Sequence, residues 1–138
     1  MTLHEIDASL PNGFHDAEVS SIALDLLSRR ATLDLEIWMG DMSSPPHAGR
    51  EAYRAGRLEL SRVAYFAIDP PDHRYRFAEP GPICIDLCDA DTQIVPPTRA
   101  GDFAARFFIS DWNTFISVSA GDAALTWTAE PYDRGENE

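Results

Sequence analysis

The sequence gathers its densest set of reactive side chains into one short stretch, His15-Asp16-Ala17-Glu18, directly after Phe14. An imidazole beside carboxylates can exchange a proton near neutral pH or ligate a divalent metal. The stretch opens an alternating, strand-like run, and alternation turns His15 away from Asp16 and Glu18 once the strand begins. A His or Asp at a strand entrance also holds a turn by bonding to backbone groups. The expectation is a structural role for His15, Asp16 and Glu18, with metal binding, acid–base chemistry and partner contact as the alternatives.

Other candidates are sparser. His4, His47 and His73 lie in separate segments without a metal-ligand spacing such as H-x-x-x-H. Cys84, Asp86 and Cys88 alternate along one run, which puts them on one strand face with successive members ~7 Å apart. The two cysteines then stand ~13 Å apart, beyond the ~7 Å between Cα atoms that a disulfide allows. They read as reduced thiols packed in the core. The chain lacks G-x-S-x-G, G-x-x-x-x-G-K-[ST], G-x-G-x-x-G, H-E-x-x-H and C-x-x-C. No catalytic residue, metal or cofactor is assigned. Contact surfaces favour Tyr and Arg, so Tyr75, Arg76 and Phe77 in the loop His73-Arg74-Tyr75-Arg76-Phe77 are candidates for partner binding. Asp89 and Asp91 in the next acidic loop join them.

Seven runs read as strands by period-two patterning. They are Ala17 to Leu27, Ala31 to Met39, Arg57 to Ile68, Ile83 to Cys88, Phe103 to Ile109, Trp112 to Ser119, and Ala123 to Ala129. Ser28-Arg29-Arg30 is short enough for a hairpin between the first two. The third run shifts phase after Leu60, which predicts a bulge near Ser61-Arg62. Gly121-Asp122 reads as a hairpin turn, making the last three strands a meander. Short helices are expected at Leu3 to Ala8 and across Arg50-Glu51-Ala52-Tyr53-Arg54, and the tail after Glu130 is expected to fray. Long connections at 40–56, 69–82 and 89–102 carry the pairs Pro45-Pro46, Pro70-Pro71 and Pro96-Pro97. The fold class that follows is mostly β: an antiparallel sandwich or partly open barrel of about seven strands, with one or two short helices.

Composition sets the remaining bounds. A chain of 138 residues suits one domain, here 1–138, and 44% hydrophobic residues can build its core without metal or disulfide. Twenty-three acidic residues against 11 Arg and no Lys give a net charge of −12. Such a charge repels phosphate backbones and anionic lipid, and it speeds encounter with a basic protein. It also serves solubility. The opening MTLHEIDASLPNGF has no basic and apolar signal-peptide pattern, and no run is long enough to cross a membrane. A cytoplasmic location is expected.

At Leu10-Pro11-Asn12-Gly13-Phe14-His15-Asp16-Ala17-Glu18-Val19 the chain resembles small bacterial proteins with an F-H-D-A-E opening, the immunity protein 50 and related families. Phe108-Ile109-Ser110-Asp111-Trp112-Asn113 is compatible with the same resemblance. It implies a non-catalytic intracellular protein that protects a bacterium by binding a toxin domain, and the acidic charge suits a basic toxin. The alternatives from the residues themselves are a small-molecule-binding sandwich or barrel with Trp38 or Trp112 at a pocket, and a metal-dependent hydrolase centred on His15, Asp16 and Glu18.

Overall fold

The structure is a computed structural model and describes residues 1–43, 49–75, 79–89 and 98–137. Among them are one helix, α1 (Leu3–Ser9), nine strands and a final 3-10 turn (Arg134–Asn137). The strands are β1 (Ala17–Asp25), β2 (Arg30–Trp38), β3 (Ala52–Ser61), β4 (Tyr65–Ile68), β5 (Ile83–Asp89), β6 (Phe103–Ile109), β7 (Thr114–Ala120), β8 (Asp122–Trp127) and β9 (Tyr132–Asp133). No helix among the described residues is long and apolar enough to cross a membrane.

Helix α1 begins at a capping box: Thr2 accepts the N–H of Glu5 while the Glu5 carboxylate accepts that of Thr2. Its Leu3 and Ile6 are buried and plug one end of the core. The strands form because apolar residues recur at every second position. On β2 this buries Ala31, Leu33, Leu35 and Ile37, and on β6 it buries Ala105, Phe107 and Ile109. All strand pairs are antiparallel, in the order β4-β7-β6-β5-β1-β2-β3-β8, with β9 on β3.

The two ends of that order belong together. β3 and β4 are one bent path, as are β7 and β8, and the two paths stay paired through both bends. Ser61 lies opposite Asp122 and Tyr65 opposite Ser119, with Gly121 N–H donating to Ser61 O at the corner. The sheet thus folds back on itself as an antiparallel sandwich or partly open barrel. One apolar core fills it, contributed by α1 and by the strands of both halves.

Several expectations change. The phase slip after Leu60 marks a break into two strands, because Arg62 takes a left-handed φ of 50° and turns the chain across the corner. The residues Arg50 to Arg54 do not form a helical turn. They lead into β3, where Tyr53 pairs with Trp38 on β2, so tertiary pairing overrides local propensity. Gly121 does not close a hairpin: β7 runs on into β8, which pairs with β3, so the meander is β5-β6-β7 and does not extend to β8. The tail does not fray at its start, since Tyr132 and Asp133 pair with Tyr53 and Ala52. Cys84 and Cys88 are free thiols on the half-buried outer side of β5, while Ile83 and Ile85 take the core side.

Candidate functional site

The cross-strand register lines up side chains on the outer face of the sheet. In one row Cys84 on β5 faces Glu18 on β1, Glu18 faces Glu36 on β2, and Glu36 faces Ala55 on β3. In the neighbouring row Phe115 faces Phe108, which faces Asp86; beyond β1, Trp38 faces Tyr53, which faces Tyr132. His15 and Asp16 stand in the gap between Asp86 and Trp38. The result is a belt of aromatic rings interrupted by carboxylates.

His15 sits at the centre of the belt. Its Nδ1 lies 2.5 Å from Asp86 Oδ1 and its Nε2 lies 3.4 Å from Asp16 Oδ2, and its ring is 6.1 Å from the Trp38 ring. The Asp16 N–H also approaches Asp86 Oδ1, at 3.4 Å. The alternation argument that separates His15 from Asp16 does not apply here. The strand begins only at Ala17, and Asp16 has a left-handed φ of 54°, which brings its carboxylate round to the imidazole. Carboxylates at both ring nitrogens favour the imidazolium. The Asp86 bond raises the His15 pKa above the usual value, slight burial opposes it, and the Asp16 and Asp86 charges add to the rise.

Because the folded-state pKa is raised, the stabilisation from this pair is complete below about pH 6.5. It is lost as pH rises through the folded-state value. The expected observation is an NMR titration of His15 with its midpoint above that of a free imidazole. In Asp86→Asn the midpoint falls back; an unchanged midpoint would refute the assignment.

Glu18 takes no part in this cluster. Its Oε2 is ion-paired with Arg134 Nη1. The Arg134 guanidinium lies 3.8 Å from the centroid of the Tyr53 ring and 5.9 Å from that of Tyr132. The Tyr132 hydroxyl accepts from Arg134 Nε at 3.3 Å and donates to Glu36 Oε2 at 3.1 Å. A carboxylate, a ring face and a phenol oxygen thus hold one guanidinium on the outer face. A second lies over the Phe115 ring, where Arg106 approaches to 4.2 Å.

Cys84 is poorly suited to act as a nucleophile. Burial, with the nearby charges of Asp111, Glu18 and Asp16, pushes its thiol up to about 11, so the reactive thiolate is scarce at neutral pH. A metal ligand set is present in outline: one donor atom each from His15, Asp16 and Asp86 lie within 4.8 Å of one another.

The other predicted residues lie elsewhere. Tyr75 is 40% exposed beside an open cleft of about 550 Å³ that also includes Arg74, Ile83 and Trp112. Arg76, Phe77 and Asp91 fall outside the described residues. Asp89 ends β5, exposed, with its Oδ1 3.0 Å from His4 Nε2. Sequence reasoning missed Asp86 and Arg134 as parts of the site. Asp86 is distant in sequence, though its place between two cysteines on a polar strand face was a usable signal. Arg134 lies in a segment read as a frayed tail.

No protein-family model matches the chain, and no curated protein matches it. Among solved structures it is similar to an uncharacterized protein from Neisseria gonorrhoeae, at 18% identity over 80% of this chain and 90% of that one, with a TM-score of 0.42.

Proposed function

We propose that the protein is a non-catalytic binding protein that presents its acidic, aromatic outer face to a cationic surface of a partner protein. One observation carries this reading: the face already holds the chain's own Arg134 guanidinium between Glu18, Tyr53 and Tyr132. The same chemistry continues along the belt, where Asp16 and Asp86 flank His15 beside Trp38, and these carboxylates are exposed or half-exposed. Partner arginines suit such a surface, because a planar guanidinium bonds to carboxylates and stacks on rings at once. The net charge of −12 would steer a basic protein toward it. The resemblance around Phe14 to Glu18 makes a basic toxin domain the first partner class to try.

Affinity capture from the native host, followed by mass spectrometry, tests the reading. The expected catch is a protein of net positive charge, lost when Glu36→Lys and Asp86→Lys reverse the belt in a still-folded chain. Recovery of the chain alone at low salt, or an equal catch with the reversed belt, would refute it.

A second reading is favoured by the clustered donor atoms of His15, Asp16 and Asp86. It is metal-assisted hydrolysis, with Glu18 engaged by Arg134 and outside the ligand set. Metal analysis of the purified chain beside His15→Ala separates it from the first.

A further inference from the structure

At the far end of β1 the hairpin presents leucines to solvent: Leu24 is 45% exposed, Leu26 78% and Leu27 99%. The tip is held in this form by Asp25, whose carboxylate accepts the N–H groups of Leu27 at 3.0 Å and Ser28 at 3.2 Å. Tyr65 on β4, 38% exposed, extends the apolar surface. Between tip and strand lies an open cleft of about 400 Å³ lined in part by Leu24, Leu26, Val63 and Phe66, and by two arginines, Arg29 and Arg99, against the one carboxylate of Asp25.

β4 is also an edge strand among the described residues. Among the described residues it pairs only with β7. The bond from Asp69 N–H to Phe115 O fixes the phase of that ladder. Tyr65 and Ala67 therefore turn their backbone groups toward β7, and Phe66 and Ile68 turn theirs outward. The β8 end of the order is treated differently. There Met1 O accepts from Ala123 N–H at 2.8 Å and the N-terminal ammonium pairs with Asp122, so the start of that edge is covered.

We infer that this edge and the leucine tip dock an extended segment of a partner protein, carrying alternating apolar side chains and at least one carboxylate. Each part of the site selects one part of that description. Outward N–H and C=O groups at Phe66 and Ile68 select a strand, by main-chain pairing. The leucine-lined cleft selects apolar side chains at alternate positions. Arg29 and Arg99, which have no ion-pair partner among the described residues, select the carboxylate. The chain's negative charge does not forbid this. The acidic belt lies at the other end of β1, ~30 Å away, and charges there are screened over a Debye length of ~8 Å. A second copy of the chain fits less well, because it would bring two arginine pairs and two strongly negative molecules together. The inference uses a surface separate from the acidic belt and stands whether or not the belt binds a basic partner.

Selection of a phage-displayed dodecapeptide library on the full chain tests it. The expected peptides alternate apolar residues and contain Asp or Glu. A synthetic copy should shift the amide signals of Phe66 and Ile68 and slow their hydrogen exchange. Leu26→Asp together with Leu27→Asp, both exposed and therefore compatible with folding, should weaken it about tenfold or more. Arg29→Glu should weaken it as well, while Asp86→Lys in the belt should not. The inference is overturned if no peptide is enriched, if enriched peptides lack carboxylates, or if binding ignores Leu26→Asp. It is also overturned if light scattering finds a dimer of the chain that Leu26→Asp dissolves, which would assign the surface to a second copy.

Discussion

Phe14→Ala is expected to cost about 3–5 kcal/mol of folding stability, the range for removing a fully buried aromatic ring. Phe14 is 0% exposed and meets Phe107 edge to face, with ring centroids 5.7 Å apart at 89°. Its own N–H is bonded to Asp7 Oδ1 at 2.8 Å, so the backbone is pinned and the cavity cannot collapse by a local shift. The neighbouring His15→Ala, at an exposed site, is expected to stay within about 1 kcal/mol of the parent. Urea unfolding of the two variants checks this; equal losses would show that the stretch acts as one unit. The expected contrast divides the F-H-D-A-E opening by physics. Its Phe belongs to the core, and its His and Asp belong to the surface.

Gly40→Ala is the second large effect. A Cβ at Gly40 would lie 2.0 Å from the Arg50 carbonyl oxygen and 2.6 Å from both the Arg50 carbonyl carbon and Trp38 Nε1. Relief would have to come from backbone that is already committed. Trp38 Nε1 donates to that same Arg50 oxygen at 2.9 Å, Met39 N–H donates to Ala52 O at 2.7 Å, and Asn12 Nδ2 donates to Gly40 O at 2.7 Å. The loss should reach the upper end of the ~1–3 kcal/mol typical of overpacking, or exceed it. The indole of Trp38, released from Arg50, should show a red-shifted emission. Gly121→Ala is the control. Its Cβ would meet the Arg62 guanidinium, a flexible side-chain end that can swing aside, so the loss should be smaller. Thermal melts of both variants decide; a Gly40→Ala protein as stable as the parent would refute the close packing beneath Trp38.

The contrast between what could and could not be read from sequence follows the range of each interaction. β6 matches its expected limits, Phe103 to Ile109, because one face is apolar at every second residue and both ends carry turn residues. Helix α1 also falls where its sequence places it, within one residue, since the Thr2–Glu5 capping box is local. The corner at Arg62 was legible only as a slip in phase. Nothing local distinguishes a bulge from a strand that changes partners, and the left-handed φ falls on an arginine, which carries no glycine's signature. Gly121 misled for a related reason: a turn dipeptide specifies a bend, whereas β8's partner is set by the apolar register with β3.

The site shows the same limit. His15 and Asp16 were visible as a pair, but their contact depends on the φ of Asp16, and the third member, Asp86, comes from β5. Arg134 is joined to Glu18 across most of the chain, a long-range pairing that no spacing rule predicts. Once registers are known, the belt follows directly from which residues stand opposite one another.

The claim on which the functional reading depends is that the acidic belt is the surface that meets a cationic partner. The most direct measurement is the association rate of the captured partner with the chain, at low and at high salt. The predicted result is a rate that falls about tenfold or more between ~50 and ~300 mM salt. The dependence should be blunted in the Glu36→Lys and Asp86→Lys chain. A rate indifferent to salt, and equal for the parent and the charge-reversed chain, would contradict the account.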